Sequence, residues 1–278
     1  MDAHHRKAAD QKASNINMIN LHPHNTGFEW QDHSGPFEMI TDAQAKQFDE
    51  LGYFLLPGVF EPDLLNQLAA EIAPLEAQTE AFLQTREDGR YLIARAGEIT
   101  FTAHLVTRSE QLKAFSKHAI FQKLCADLIG ANARLYWDQA VYKKPGTAEE
   151  FPWHQDNGYT FIDPQFYLTC WVPLVDATVE NGCPWVVPHL HRRGTLAHEM
   201  TDLGWQCLHN PQDAVPVEAK AGDVVVLSSL TPHRTGPNLS DSIRKAYILQ
   251  YAPDGVRRFD TESGEWHLAN DLHRQYLI

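Results

Sequence analysis

The order of apolar and polar positions divides the chain into two unlike halves. In the first, apolar residues recur at helical spacing: Leu64, Leu65, Leu68, Ile72 and Leu75 form one stripe in a segment opened by Pro62, since residues three and four apart share a helix face. A shorter helix is predicted from Thr41, where Thr-Asp-Ala-Gln has the form of a capping box and Gly52 stands ready to end it. A strand over Tyr53 to Leu56 follows, turning at Pro57-Gly58. Pro74 should kink or divide the long helix, because its ring removes a donor and crowds the preceding turn. Asp88-Gly89 reads as a hairpin turn, and a further helical stretch runs from about Ser109 to Leu128, capped by Gly130.

From Ala133 the period changes. Short runs rich in β-branched and aromatic residues, ARLYWDQAVYKK, QFYLTCWVPLV, PWVVP, AVPVEAK, DVVVLSS and RKAYILQYAP, alternate with turn signals at Pro145-Gly146, Asn157-Gly158, Asn181-Gly182 and Ala221-Gly222-Asp223. Successive short strands without intervening helices predict an antiparallel sandwich or barrel, not a parallel nucleotide-binding sheet. Neither a GxGxxG loop nor a phosphate-binding P-loop occurs.

Residues 1 to 40 carry no sustained period. They are polar, hold His4, His5, His22, His24 and His33, and read as an extension that is loose or laid over a single domain spanning 41 to 278. His22-Pro23-His24 could bind a metal or be a solvated arm.

Composition narrows the function classes. Across 278 residues, 23 Lys and Arg face 36 Asp and Glu for a net charge of −13, while 43% of residues are hydrophobic. A large core is therefore affordable, and a phosphate-tracking nucleic-acid binder, which needs a basic stripe, is disfavoured. The expected partner is a small molecule, with no nucleic acid and no membrane. Cys125, Cys170, Cys183 and Cys207 have no CxxC spacing and read as reduced thiols, Cys170 and Cys183 as small buried hydrophobes. With no apolar leader or membrane-length run, a soluble cytoplasmic protein is expected.

The candidate chemistry lies in Phe151-Pro-Trp-His-Gln-Asp156. On a strand, His154 and Asp156 would share a face. A chain with 15 His produces an H-x-D by chance, so the tripeptide alone proves nothing. His233, directly after the run Val224 to Leu227, and Arg244, at the start of another strand, change its meaning. Two imidazoles and a carboxylate on one face of a metal leave positions open for a co-substrate and dioxygen, as in non-haem Fe(II) oxygenases. A guanidinium nearby can grip a remote carboxylate in bidentate fashion.

At these residues the sequence resembles the phytanoyl-CoA dioxygenase family of Fe(II)/2-oxoglutarate oxygenases, over roughly Ile40 to Pro253. The resemblance rests on FDELGYFLLPGVF, DQAVYKKPGTAEEFPWHQD, LTCWVPLVDATVENGCPWVVP, AGDVVVLSS before TPHRTGPN, and the spacing to Arg244. It implies a double-stranded β-helix, a cupin-like jelly-roll of mainly β (α+β) class, flanked by N-terminal helices. It further implies iron ligation by His154, Asp156 and His233, with Arg244 holding the far carboxylate of 2-oxoglutarate and dioxygen as oxidant. Gln139, Thr169 and Trp171, with Phe151 and Thr235, match positions lining the 2-oxoglutarate pocket. An intact Asp156 favours hydroxylation or desaturation over the halogenation of relatives that lack this carboxylate. Where relatives read Pro-Gly-Ser-His, this chain reads Pro188-His-Leu-His191. His189 and His191, with Arg192 and Arg193, then form a basic spot that could meet an anionic substrate or be a solvated loop.

Trp153, next to His154, is expected close to the iron, and Tyr159 and Phe161 in the following loop are candidate substrate contacts. Lys143 and Lys144 either solvate a strand end or point into the pocket. Two rival readings remain open at this point. One is a cupin-like isomerase or hydrolase using the same ligands with Zn(II) or Mn(II) and no 2-oxoglutarate; Arg244 paired with a scaffold carboxylate would support it. The other is a metal-free binding module, in which the three ligands would be dispersed.

Overall fold

The computed structural model describes residues 19–278, so His4 and His5 lie outside the described residues. Two features of local sequence start the fold. Thr41 accepts a hydrogen bond from the Gln44 N–H while the Gln44 side chain reaches back to the Thr41 N–H, which opens helix α1 (Asp42–Leu51). Gly52 closes it at φ 83°, a left-handed conformation that a Cβ would oppose. Strand β1 (Tyr53–Leu56) follows, then α2 (Pro62–Gln84) with Pro62 in its first turn.

Of the two outcomes expected at Pro74, division does not occur, and α2 runs through it. The turns on either side of it are anchored: Leu68 and Ile72 are fully buried before it, and Glu76 and Thr79 accept hydrogen bonds from Thr100 and Thr102 after it. Tertiary anchoring thus outweighs one lost backbone bond. Asp88-Gly89 forms the turn entering β2 (Arg90–Tyr91), and the hairpin tip to β3 (Ala94–Arg95) falls instead at Leu92, with φ 52°. After β4 (Ile99–Ala103), the expected single helix is two, α3 (Glu110–Ser116) and α4 (Ala119–Leu128). His118 breaks the run because its ring nitrogen accepts from the Ile120 N–H and serves as a second N-cap. Gly130 closes α4 as expected, its N–H bonded to the Cys125 carbonyl.

The remaining strands are β5 (Ala133–Lys143), β6 (Ile162–Asp163), β7 (Leu168–Pro173), β8 (Pro184–Val186), β9 (Glu199–Thr201), β10 (Gly204–Gln206), β11 (Val215–Pro216), β12 (Val224–Ser228), β13 (His233–Thr235), β14 (Arg244–Pro253), β15 (Arg257–Phe259) and β16 (Trp266–Leu268). They make a large sheet in the order β1-β12-β7-β14-β5-β4-β3-β2 and, opposite it, a small sheet β11-β8-β13; the pairs β10-β9 and β16-β15-β6 are peripheral. All pairings are antiparallel, which is the double-stranded β-helix.

Period-two alternation decides what each strand offers to each layer. From β7 and β12, Cys170, Val172, Val224 and Val226 join the core beneath the helices, with Phe48, Phe54, Leu68 and Phe121. Their neighbours Trp171, Val225 and Leu227 face the other way, into the space between the sheets, with Val141, Val186, Ala246 and Ile248. Each such buried aliphatic side chain contributes about 1.5–3 kcal/mol. On β14 the parity of Ala246 and Ile248 puts Arg244 on the inner side too. The described part of the N-terminal extension is laid over the domain: Leu21 bridges Leu196, and His33 and Trp30 both bond the Asp49 carboxylate of α1.

Candidate metal centre

Three ligand atoms converge at one end of the space between the sheets. His154, Asp156 and His233 each present a donor within 4.8 Å of the others. The expected strand placement of the H-x-D segment is corrected here. His154 sits at an isolated antiparallel bridge with His233, and Asp156 opens a 3-10 turn over Asp156–Gly158. Reciprocal backbone bonds between His154 and His233, of 3.0 and 2.8 Å, bring the two rings to 4.3 Å. The turn then swings the Asp156 carboxylate between them, its Oδ1 lying 3.9 Å from His154 Nε2 and 3.8 Å from His233 Nε2.

Hydrogen bonds select which atoms remain free. His154 Nδ1 meets the Pro152 carbonyl at 2.8 Å, and His233 Nδ1 meets the Thr231 carbonyl at 3.0 Å. A ring that donates from Nδ1 keeps its Nε2 lone pair for a metal. The Thr169 hydroxyl donates to Asp156 Oδ2, leaving Oδ1 for the same centre. Burial and the facing His233 ring hold the His154 imidazolium well below its ordinary pKa, so the ring is neutral, as ligation requires. The donor set is thus two imidazoles, each with Nε2 turned to the centre, and one carboxylate, and it fits a facially bound divalent iron.

Arg244 is completely buried, yet its Nε and Nη2 have no hydrogen-bond partner; Nη1 makes a single 3.4 Å contact to the Val141 carbonyl. No scaffold carboxylate pairs with it among the described residues, which removes the support that the rival without 2-oxoglutarate required. Burial lowers its pKa to about 10, which still leaves a full charge at neutral pH. The Trp171 ring lies against the guanidinium, 5.6 Å from its centroid. Two orphaned charged donors in a buried wall are the complement of a carboxylate.

The other expected site residues divide. Phe151 packs its ring 4.5 Å from that of His154, and Gln139 accepts from the Trp137 indole at 3.2 Å. Thr235 contributes its carbonyl to the Phe151 N–H. Tyr159 stands edge-on to His154 at 5.2 Å, and Phe161 lines a cavity of 750 Å³ beyond it. Trp153 does not face the metal ligands. Alternation turns it outward from His154, into a cluster with Val187, Leu196 and Leu208, under the Arg234 guanidinium.

The basic-spot reading of residues 189 to 193 is also corrected. His191 is fully buried beneath α1, with Nε2 on the Asp49 carbonyl and its ring edge-on to Trp30 at 4.5 Å. His189 meets the Glu50 carbonyl, and Arg192 pairs with Asp32. This segment is a clasp between the sheets and α1. Lys143 is buried rather than solvated, donating to the carbonyls of Gly236 and Glu149. Burial and the nearby Arg244 and Arg234 bring its pKa down to about 6. Lys144 pairs with Glu80. Cys170 and Cys183 are buried, free thiols.

Sequence reasoning missed the residues that hold the ligand segment in place. Gln155 is fully buried and bonds the carbonyls of Gly194 and Leu230 and the N–H of Leu196. His198 accepts the Gln155 N–H. The only available signal was a polar residue between two ligands, which must point away from the metal into packed structure.

Comparison with known proteins agrees with this geometry. The chain is 26% identical to phytanoyl-CoA dioxygenase 1 of Oryza sativa subsp. japonica, over 86% of this chain and 96% of that protein. It is 30% identical to a methylphosphonate hydroxylase of Gimesia maris, over 76% and 80% of the two chains. The fold matches a solved non-haem α-ketoglutarate-dependent carbocyclase from nogalamycin biosynthesis, with TM-score 0.65 and 24% identity, over 81% of this chain and 89% of that one. No helix among the described residues is long and apolar enough to cross a membrane. The family model for phytanoyl-CoA dioxygenase spans residues 48–246, which contain both histidines, the aspartate and the arginine. The chain therefore belongs to the phytanoyl-CoA dioxygenase family and is a non-haem iron, 2-oxoglutarate-dependent oxygenase.

Proposed function

We propose that the protein hydroxylates a C–H bond of a small metabolite and couples this to conversion of 2-oxoglutarate to succinate and carbon dioxide. The observation that carries the reading is Arg244, a buried cation with two unused donors on the wall shared with Trp171. The relatives are named for different substrates, phytanoyl-CoA and methylphosphonate, so the substrate has to be read from this chain's own pocket.

In this mechanism His154 and His233 offer Nε2, and Asp156 offers Oδ1, on one side of a common point. The backbone carbonyls of Pro152 and Thr231 hold the ring orientations, and Thr169 holds the carboxylate. Bound iron supplies the oxidising chemistry when 2-oxoglutarate and dioxygen are present. Arg244 pairs with the distal carboxylate of 2-oxoglutarate, and the indole of Trp171 shields that pair from water, which strengthens it. Tyr159, beside His154, stands where a substrate would border the centre. Anaerobic addition of Fe(II) and 2-oxoglutarate should produce the weak visible charge-transfer band of the chelate. Folded, iron-loaded protein without that band would refute the reading.

A further inference from the structure

Beyond the metal ligands lies a cavity of 750 Å³, within the size range of small-molecule sites. Gly158, which ends the ligand turn, and Tyr159, which follows it, line this cavity, and the Tyr159 ring also stands beside His154. Much of the rest of the lining is aromatic: Phe161, Trp205 and Phe259, with His22 of the N-terminal extension stacked on Phe161 at 4.6 Å. Burial and His24 lower the His22 pKa, which favours its neutral form and leaves the stacked ring an apolar surface.

One cation in this lining makes no hydrogen bond or ion pair among the described residues. It is Arg258, half-buried on β15, opposite Ile162 of β6. Its flanking residue Arg257, by contrast, is paired with Asp163 and lies over Trp266. Arg258 lines the cavity together with Tyr159, whose ring stands 5.2 Å from that of His154. Two carboxylates also line the cavity. Asp260 accepts from the N–H groups of Ser263 and Glu262, and these bonds, with the Arg258 charge, hold its pKa below the ordinary carboxylate value, while Glu262 is exposed on that same turn. Arg258 and Asp260 form no ion pair, which leaves the guanidinium donors open to a ligand.

We infer that this cavity is the substrate chamber, and that it takes a small molecule with an anionic head, gripped by Arg258, and an apolar or aromatic body lying against Phe161, Trp205 and Phe259. The head is a carboxylate or a phosphonate, which present the same paired acceptors to a guanidinium. Only the placement of this molecule for oxidation rests on the proposed hydroxylase reading; its binding does not.

Isothermal titration of the anaerobic Fe(II)- and 2-oxoglutarate-loaded protein with benzylphosphonate, phenylacetate and neutral benzyl alcohol tests the inference. At least one anionic probe should bind more than about tenfold tighter than the alcohol, as one charge-assisted pair provides. The tighter of the two anions identifies the head group. R258Q should remove the difference and R258K restore part of it. Equal binding of the alcohol and both anions, unchanged anion binding in R258Q, or no binding of any probe would overturn the proposal. The chelate band is read in the same samples. A missing band with intact anion binding refutes the hydroxylase reading alone, whereas a normal band without anion preference refutes the chamber alone.

Discussion

Two pairs of histidines in this protein have opposite fates. His154 and His233 each spend Nδ1 on a backbone carbonyl and turn Nε2 toward the same carboxylate oxygen. His189 and His191 spend their bonds on carbonyls at the end of α1, and no carboxylate oxygen among the described residues is bonded to either. All four lie in the strand-rich half, and His191 is as buried as any ligand. The difference teaches that a metal site is made by the convergence of free lone pairs, not by histidine density. The two pairs are nevertheless linked. Thr231, whose carbonyl orients His233, also donates its hydroxyl to the Gly52 carbonyl, and a Cβ on Gly52 would collide with both Thr231 and the His191 ring. The clasp therefore steadies the loop that aims one ligand.

Removing a ligand should separate the two pairs most sharply. D156A is expected to reduce succinate production to background while circular dichroism stays that of the wild type; retained turnover would remove Asp156 from the centre. Next in size is R244M. The Michaelis constant for 2-oxoglutarate should rise roughly a hundredfold, since two hydrogen bonds to a charge are lost. Without 2-oxoglutarate its melting temperature should equal or exceed that of the wild type, because the substitution relieves an unpaired buried charge. A raised Michaelis constant accompanied by a fall in melting temperature would make Arg244 structural. A smaller effect is expected from T169V, which keeps the shape but frees Asp156 Oδ2. Iron affinity, followed by titration, should weaken about tenfold, the usual cost of losing a hydrogen bond to a metal ligand.

The clasp should answer to pH and not to iron. Burial brings the His191 pKa down to about 4, below the roughly 6.5 of an exposed histidine. Above that ordinary value both folded and unfolded forms are neutral and the contribution to stability is complete. As pH falls, the unfolded chain takes up the proton first, so stability is lost between about 6.5 and 4. H191Q should flatten this part of the melting-temperature profile while leaving the chelate band in place. A profile as steep as the wild type's would assign the loss to other groups.

Much of this was legible in the chain because it depends on neighbours in sequence. The capping box at Thr41 and Gln44, the stop at Gly52, the runs that became β5, β7, β12 and β14, and the cap at Gly130 are each specified within a few residues. The identities of His154, Asp156, His233 and Arg244 were legible from the family's spacing. The sequence alone could not show that Lys143 would be buried against two carbonyls, that Trp153 would turn outward, that Gln155 would anchor the ligand turn, or that His191 would lie beneath a helix. Their partners are remote in the chain, and only packing brings them near. Local propensity acts over a turn or a strand. The direction of a lone pair and the presence or absence of a partner for a buried charge are set by the meeting of distant segments. The sequence by itself determined which residue types were available for iron chemistry and on which elements they would ride; the tertiary structure decided which nitrogens stayed free, which arginine stayed unpaired, and where the histidines became structural.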